Sequence, residues 1–241
     1  MASEEQLRAM VDQDKSLLRI IDFENFRSAP QIDAQARAAL LRPNPKLDAS
    51  LRTSAAHGLP PISVLPLAGQ YLSVLTRVMG AKNVLEVGTL GGYSSICFAQ
   101  AGARVTSVEI DAKHRDVAMQ NVEGLDVEVL LGSSSDVLPK LVEEGRKFDI
   151  VFVDADMIGL DEQFDLAVKL TRPNGCIVLE DVVASMFKEG EVGGHSEENI
   201  LTRIGKDERV DATLVPIVTC HPMVPTPVFN GFIFATVKAD S

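Results

Sequence analysis

Val84-Leu85-Glu86-Val87-Gly88-Thr89-Leu90-Gly91-Gly92-Tyr93-Ser94-Ser95 is the stretch that decides the fold. A hydrophobic strand ends in an acid and a glycine, crosses a glycine-rich turn, and opens a helix with serines. Such a turn lets backbone N–H groups approach a polar ligand closely. A second apolar strand, Val105-Thr106-Ser107-Val108, ends in Glu109, twenty-one residues past Gly88. An acid at the tip of the second strand of a βαβ unit commonly holds ribose hydroxyls. Together these features point to an adenosine-bearing cofactor. The plainer alternative is a βα turn whose glycines serve packing alone, and Glu109 argues against it.

The glycine spacing indicates which cofactor. A dinucleotide fingerprint reads G-x-G-x-x-G, and its turn must admit a pyrophosphate. Here the pattern is G-x-x-G-G, with an acid two residues before the first glycine. That acid would repel a pyrophosphate but suits an ammonium. S-adenosylmethionine carries an amino group, a sulfonium and a carboxylate and no phosphate, so it is favoured over NAD.

Outward from this stretch, strand and helix patterns alternate. Strands are expected at 83–87, 104–109, 127–131, 148–153 and 175–180, and helices near 92–101, 112–122, 135–145 and 160–171. Strands joined by helical crossovers make a parallel sheet with helices on both faces. A helix near 197–207 follows, and strands at 211–217 and 230–237 are read as a hairpin closing one edge. The expected fold is α/β and Rossmann-like: a seven-stranded, mostly parallel sheet with a C-terminal antiparallel hairpin. Upstream, helices are expected over 3–27 and 33–41. Pro43, Pro45, Gly58, Pro60 and Pro61 mark an irregular stretch, and Ser63 is placed to cap a helix that runs to Met79 and stops at Gly80. Residues 1–241 are taken as one domain, 1–60 a helical cover and 61–241 the core. The loop from Thr219 to Phe229, with Pro222, Pro225 and Pro227, is read as a stiff lid or partner contact.

Ligands of open α/β sheets sit outside the carboxyl ends of the strands, and those ends are acidic beyond the cofactor's needs. Strand four ends in Asp154-Ala155-Asp156 and strand five in Glu180-Asp181. Adjacent tips lie about 5 Å apart, and like charges that close raise each other's pKa unless a cation intervenes. Asp154, Glu180 and Asp181 are therefore expected to hold a hard divalent cation such as Mg²⁺, Mn²⁺ or Ca²⁺. Solvated acids capping loops are the bland alternative.

With 241 residues and 46% hydrophobic content, the chain can bury a large core. Its net charge of −11 argues against a nucleic-acid partner and weighs against an anionic coenzyme A thioester. Arg42, Lys46 and Arg52 form a locally basic segment. Cys97, Cys176 and Cys220 are scattered, which suggests a reducing compartment; Cys97 and Cys176 read as core residues. The first thirty residues are too acidic for a transit peptide, and no apolar run approaches about 18 residues. An intracellular, cytoplasmic protein without a membrane span is expected, with the mitochondrion as the other compartment.

The chain resembles the cation-dependent O-methyltransferases of the catechol and caffeoyl-CoA type. The resemblance is carried by Gly69-Gln70, Ala81-Lys82, Leu85-Glu86-Val87-Gly88, Gly92-Tyr93-Ser94, Val108-Glu109-Ile110-Asp111 and Phe152-Val153-Asp154-Ala155-Asp156. Leu166-Ala167-Val168-Lys169-Leu170, Arg172-Pro173 and Asn230-Gly231-Phe232 also fit. It implies that Glu86, Gly88 and Ser94 hold the methionine end of S-adenosylmethionine. Glu109 would take the ribose, with Ile110 beside it and Ser134 at the adenine, while Ile62 and Val64 pack over the cofactor. Asp154 would serve both cofactor and metal (Mg, Mn or Co), and Glu180 and Asp181 fall where the family has an Asp-Asn pair of ligands. The chain departs from the family there, and again at Met157, where many members carry a lysine proposed as general base.

The activity implied is methyl transfer to a hydroxyl of a small catechol-type phenolic such as a flavonoid. A caffeoyl-CoA-type activity is the enzymatic alternative. A catalytically impaired S-adenosylmethionine-binding protein is the non-enzymatic one. Asp154 is the catalytic candidate. His57, His195 and His221 are read as surface or structural residues, with His195 the best replacement base. Met157, Met186, Phe187 and the 219–229 loop are expected to line an apolar acceptor pocket. Family members are often dimers, and the N-terminal helices carry more apolar surface than a free arm needs, so a homodimer is expected.

Overall fold

Alternate residues of the first core strand face opposite ways, and the two layers of the protein follow from that. In the computed structural model, which describes residues 27–155, 159–188, 199–220 and 226–239, strand β1 spans Asn83–Val87. Leu85 and Val87 enter one apolar cluster with Leu138, Val151, Phe164, Leu170, Ile177 and Leu179. Val84 enters another with Leu72, Phe98, Val105, Ile150, Phe152 and Val178. Period-2 alternation with apolar residues on both faces is the mark of a strand covered by helices on each side.

The remaining strands are β2 (Arg104–Glu109), β3 (Val127–Leu131), β4 (Phe148–Val153), β5 (Thr171–Leu179), β6 (Val210–Thr219) and β7 (Val228–Val237). They form one seven-stranded sheet in the order β3-β2-β1-β4-β5-β7-β6. Strands β1 to β5 are parallel, with Leu85 opposite Thr106 on β2 and Val151 on β4. β7 runs antiparallel to β5, Leu179 opposite Ile233. The expected fold class is the observed one.

The helices are α1 (Ala29–Leu40), α2 (Pro45–Ala56), α3 (Pro66–Met79), α4 (Tyr93–Gln100), α5 (Ala112–Asn121), α6 (Ser134–Glu143), α7 (Leu160–Leu170), α8 (Val182–Lys188) and α9 (Ile200–Lys206). Several have a legible start or stop. Asp111 caps α5 by accepting from the amides of Lys113 and His114, and Gly80 ends α3 in the left-handed conformation at φ 60°.

Four local expectations are corrected. The stretch after Pro43 is not irregular but contains α2: Asn44 caps it by accepting from Leu47 N, and Pro45 takes the first helical position, where a missing N–H costs nothing. α3 begins at Pro66 by the same device, not at a Ser63 cap. β5 begins at Thr171 rather than 175, and a register shift between Phe148 and Ile150 accommodates it. α8 was not foreseen. The expected helix over 3–27, except for Arg27, lies outside the described residues, as do Asp156, Met157, His195, His221, Pro222 and Pro225.

The described residues divide into two compact units, those within 41–217 and 229–239, and those within 27–40 and 218–228. The sheet and all the strand tips discussed below, except the β6–β7 turn, belong to the first. In the second, α1 carries an Arg37–Asp33 ion pair at 2.8 Å. No described helix is long and apolar enough to cross a membrane. Cys97 and Cys176 lie in the core, and burial pushes both thiols up to about 12.

The end of the sheet opposite the carboxyl-terminal strand tips is pinned by Asp149. Its Oδ2 accepts from Lys82 N at 2.7 Å and Asn83 N at 2.8 Å, and Arg172 Nε donates to its Oδ1 at 2.5 Å. Burial pushes the Asp149 carboxyl up, but Arg172 and the two amides outweigh it and hold the group below its ordinary value of 3.8. Asp149→Ala strands two amides and a guanidinium and should cost about 1–3 kcal/mol. A folded-state pKa below the unfolded one gives stability that is present above the ordinary carboxylate value and lost as pH falls through the lowered one. Thermal unfolding across pH should show the wild-type advantage over Asp149→Ala intact at pH 7 and closing below about pH 4.

Candidate active site

Glu86 is fully buried although it is charged chemistry in an apolar strand. Its Oε2 accepts from Ser107 Oγ at 2.6 Å and from Ser95 Oγ. Burial raises the carboxyl above its ordinary value, and the hydroxyls of Ser107, Ser94 and Ser95 offset part of that. Glu86 Oε1 is buried and has no hydrogen-bond partner among the described residues. Such an atom costs free energy unless something satisfies it, and an ammonium would.

The turn after β1 is defined by what cannot fit. Gly88 has φ 96°, and a Cβ there would lie 2.0 Å from the carbonyl oxygen of Asp154. Asp154 N donates to Val87 O at 2.9 Å, so the β1 and β4 tips meet main chain to main chain. A Cβ on Gly91 would lie 2.1 Å from Ser54 Oγ of α2. Leu90 has φ 49°, a conformation that costs a side-chain-bearing residue about 1–3 kcal/mol and persists only where the surroundings impose it.

Glu109 imposes much of it. Its Oε2 accepts from Leu90 N at 2.7 Å and Thr89 N at 3.2 Å, and its Oε1 accepts from Asp111 N at 2.9 Å. His114 Nδ1 stands 3.8 Å from Oε1. The acid expected at a ribose thus also clamps the glycine turn. Next to it Ile110 is 73% exposed, an apolar side chain at a strand tip. Ser134 opens α6 directly after the cap residue Ser133. Ser94 lies buried in the first turn of α4. Ile62 is exposed, and half-buried Val64 packs on the second core cluster.

On the other side of Gly88 stand the acids. Glu180 N donates to Val153 O at 2.9 Å, which sets the β5 tip beside Asp154. Burial, then Glu180, Asp181 and Glu86, push the Asp154 carboxyl well above its ordinary range. Burial and then Asp181 push Glu180 up to about 7. Asp181 adopts φ 57°, and its Oδ1 accepts from Asn230 Nδ2 at 2.6 Å, while Asn230 Oδ1 accepts from Ala184 N at 3.2 Å in α8. The three acids are within each other's electrostatic reach, and an all-carboxylate set has the donor chemistry a hard divalent cation requires. Among the described residues, however, no group of three or more His, Cys, Asp or Glu is gathered to hold a metal. In this arrangement Asp181 Oδ1 is engaged by Asn230, while Asp154 and Glu180 stand at adjacent tips. Asp181 is turned by its left-handed backbone and held by Asn230.

Several residues escaped the sequence reading. Asn230 has no signal in the sequence beyond its place in Asn230-Gly231-Phe232. Ser54 and Asn121 of the turn's support carry no local signal, because only the packing of α2 and α5 brings them together. Tyr71 of α3 stacks at 5.6 Å from Phe232, and burial, Cys176 and Glu180 push its phenol up to about 12. His57 is exposed, with Nδ1 2.9 Å from Thr53 O at the end of α2, a structural place. Met186 packs on the first core cluster.

A sequence model described as O-methyltransferase matches residues 43–221. A catechol O-methyltransferase of Niastella koreensis is 37% identical over 204 residues, covering 79% of this chain and 89% of its own. One from Mycobacterium tuberculosis is 33% identical, covering 87% and 96%. The structure of a Bacillus cereus O-methyltransferase, solved in complex with SAH, superposes with a TM-score of 0.76 at 33% identity, covering 86% of this chain and 97% of that one. The chain belongs to the O-methyltransferase family.

The turn's geometry yields a comparison. Gly80, at φ 60° with nothing within 4 Å, should tolerate alanine at a cost of about 1–2 kcal/mol. Gly88→Ala adds an overlap with main chain that has nowhere to move. Thermal denaturation followed by circular dichroism should show Gly88→Ala losing at least twice the midpoint that Gly80→Ala loses.

Proposed function

We propose that the protein transfers a methyl group from S-adenosylmethionine to a hydroxyl of a catechol-type small phenolic such as a flavonoid, with a divalent cation held at Asp154, Glu180 and Asp181. The observation that carries this reading is adjacency. The clamped glycine turn and Glu109 lie on one side of Gly88, and three mutually repelling carboxylates lie on the other. Membership of the family and its catechol-acting relatives support it.

In this reading Glu109 has lone pairs left for ribose hydroxyls, Ile110 offers an apolar face and Ser134 a hydroxyl to the adenine. Gly88, Ser94 and Oε1 of Glu86 serve the methionine end, and Ile62 and Val64 cover the donor. Asp154 stands between donor and acceptor. A free phenol, with a pKa of about 10, is mostly neutral at pH 7. A divalent cation held by these carboxylates would lower the pKa of a bound hydroxyl and would help to orient a vicinal diol. Orientation of this kind contributes about 7 kcal/mol or more. The family's lysine base is replaced by Met157, so the proton passes to water or to an acid. We also propose a homodimer, which sedimentation tests.

Three carboxylates around M²⁺ leave a net −1, which acidifies a phenol less than a two-carboxylate set does. Asp181→Asn should therefore raise activity near neutral pH. The backbone supports that variant: asparagine is at ease in the left-handed conformation Asp181 adopts, and its amide oxygen can accept from Asn230 Nδ2. The assay combines protein, S-adenosylmethionine and a panel of catechols, flavonoids and caffeoyl-CoA with Mg²⁺, Mn²⁺ or Co²⁺, then with chelator. Chelator-sensitive methylation of catechols is expected. Preference for caffeoyl-CoA would move the acceptor class, and tight donor binding without turnover would make the protein a binder. Lower activity of Asp181→Asn at every pH would overturn the charge argument.

A further inference from the structure

We propose that Asn121 is a positioning residue for the methyl donor: through the Gly91 carbonyl it locks the donor-binding turn onto helix α2, so that donor affinity depends on α2. This rests on the reading that the Gly88–Gly92 turn holds S-adenosylmethionine.

Asn121 is the last residue of α5 and is buried. Its Nδ2 donates to Gly91 O at 2.9 Å. The same amide lies 3.3 Å from Ser50 O and 3.4 Å from Ser54 Oγ on α2. Ser50 and Ser54 are themselves buried, so water does not compete for these contacts. Ser54 sits where a side chain on Gly91 would be, with its Oγ 2.1 Å from that Cβ position, and Leu59 Cδ2 is 3.6 Å from it. Leu59 N in turn donates to Ser54 O at 3.0 Å. The end of α2, from which the segment with Ile62 and Val64 departs, is therefore seated directly on the turn.

The turn needs this support. Leu90 at φ 49° and Gly92 at φ 79° flank Gly91, and the left-handed conformation of Leu90 is not one it prefers. Glu109 holds the Leu90 amide from one side. Asn121 holds the Gly91 carbonyl from the other. Removing the amide leaves a buried carbonyl unpaired and lets that peptide rotate, which misaligns the N–H groups a ligand would use. A second, steric lock acts at the same place. Gly91 is not at positive φ, so alanine there is refused by Ser54, whose Oγ would lie 2.1 Å and Cβ 3.2 Å from the added methyl; removing the hydroxyl relieves the severe clash, and a shift of a few tenths of an ångström relieves the other.

The test measures S-adenosylmethionine and S-adenosylhomocysteine Kd by calorimetry on full-length variants. Asn121→Ala should raise Kd at least tenfold. Asn121→Asp, equal in size but presenting an acceptor to Gly91 O, should raise it at least as much. Asp149→Ala, which destabilises the far end of the sheet, should lower the thermal midpoint and leave Kd unchanged. Gly91→Ala should weaken binding, and adding Ser54→Ala should restore Kd to within about threefold of wild type. Asn121 variants that bind within twofold of wild type overturn the proposal. If those variants do not fold, the Gly91→Ala/Ser54→Ala pair decides: recovery supports the lock and no recovery overturns it. Glu109→Ala separates the two levels. Normal binding by Glu109→Ala sinks the placement of the donor itself, whereas lost binding there with intact Asn121 variants sinks only the lock.

Discussion

Main chain touching main chain at Gly88 and Asp154 is the constraint on which the rest depends. No side chain fits between the β1 and β4 tips. The contact fixes how far the glycine turn extends, where α4 starts, and that Asp154 stands next to the turn rather than a strand away. Glu109 on β2 and Glu180 on β5 then flank this pair because the sheet order runs β2-β1-β4-β5. Four neighbouring tips thus supply a clamped turn and a group of acids in one row, as the strand ends of an open α/β sheet are suited to do.

The two ends of the sheet differ in how their polar groups are settled. At one end Asp149 has a donor for each oxygen and a carboxyl held below its ordinary range. At the other, Glu86 keeps an oxygen without a partner among the described residues, and Asp154 and Glu180 are held above theirs by burial and mutual repulsion. The apolar clusters on both faces of the sheet carry the stability that lets the second end remain costly. Carboxyls displaced upward and gathered at one set of strand tips mark a candidate functional site.

What could be read from the chain followed the range of the interactions. Strands β1 to β4 were legible because each is a short apolar run between turn residues. The glycine turn and Glu109 were legible because their spacing is local. α2 is hidden although Asn44-Pro45 is a helix start, because Pro43, Pro60 and Pro61 around it also break helices. The extension of β5 back to Thr171 across Pro173 and Gly175 has no local signal, since it depends on pairing with β4. The orientation of Asp181 was hidden for the same reason: it is set by Asn230, forty-nine residues away in sequence. Asn121 reads as an ordinary helix-ending residue until α2 is placed against it.

Glu109 grips the amides of Thr89 and Leu90 from within the fold. The turn is thereby preorganised: its conformational entropy is spent when the chain folds and not when a ligand arrives. Such a site favours rapid capture of a flexible, charged small molecule, and the contacts made on binding translate more fully into affinity.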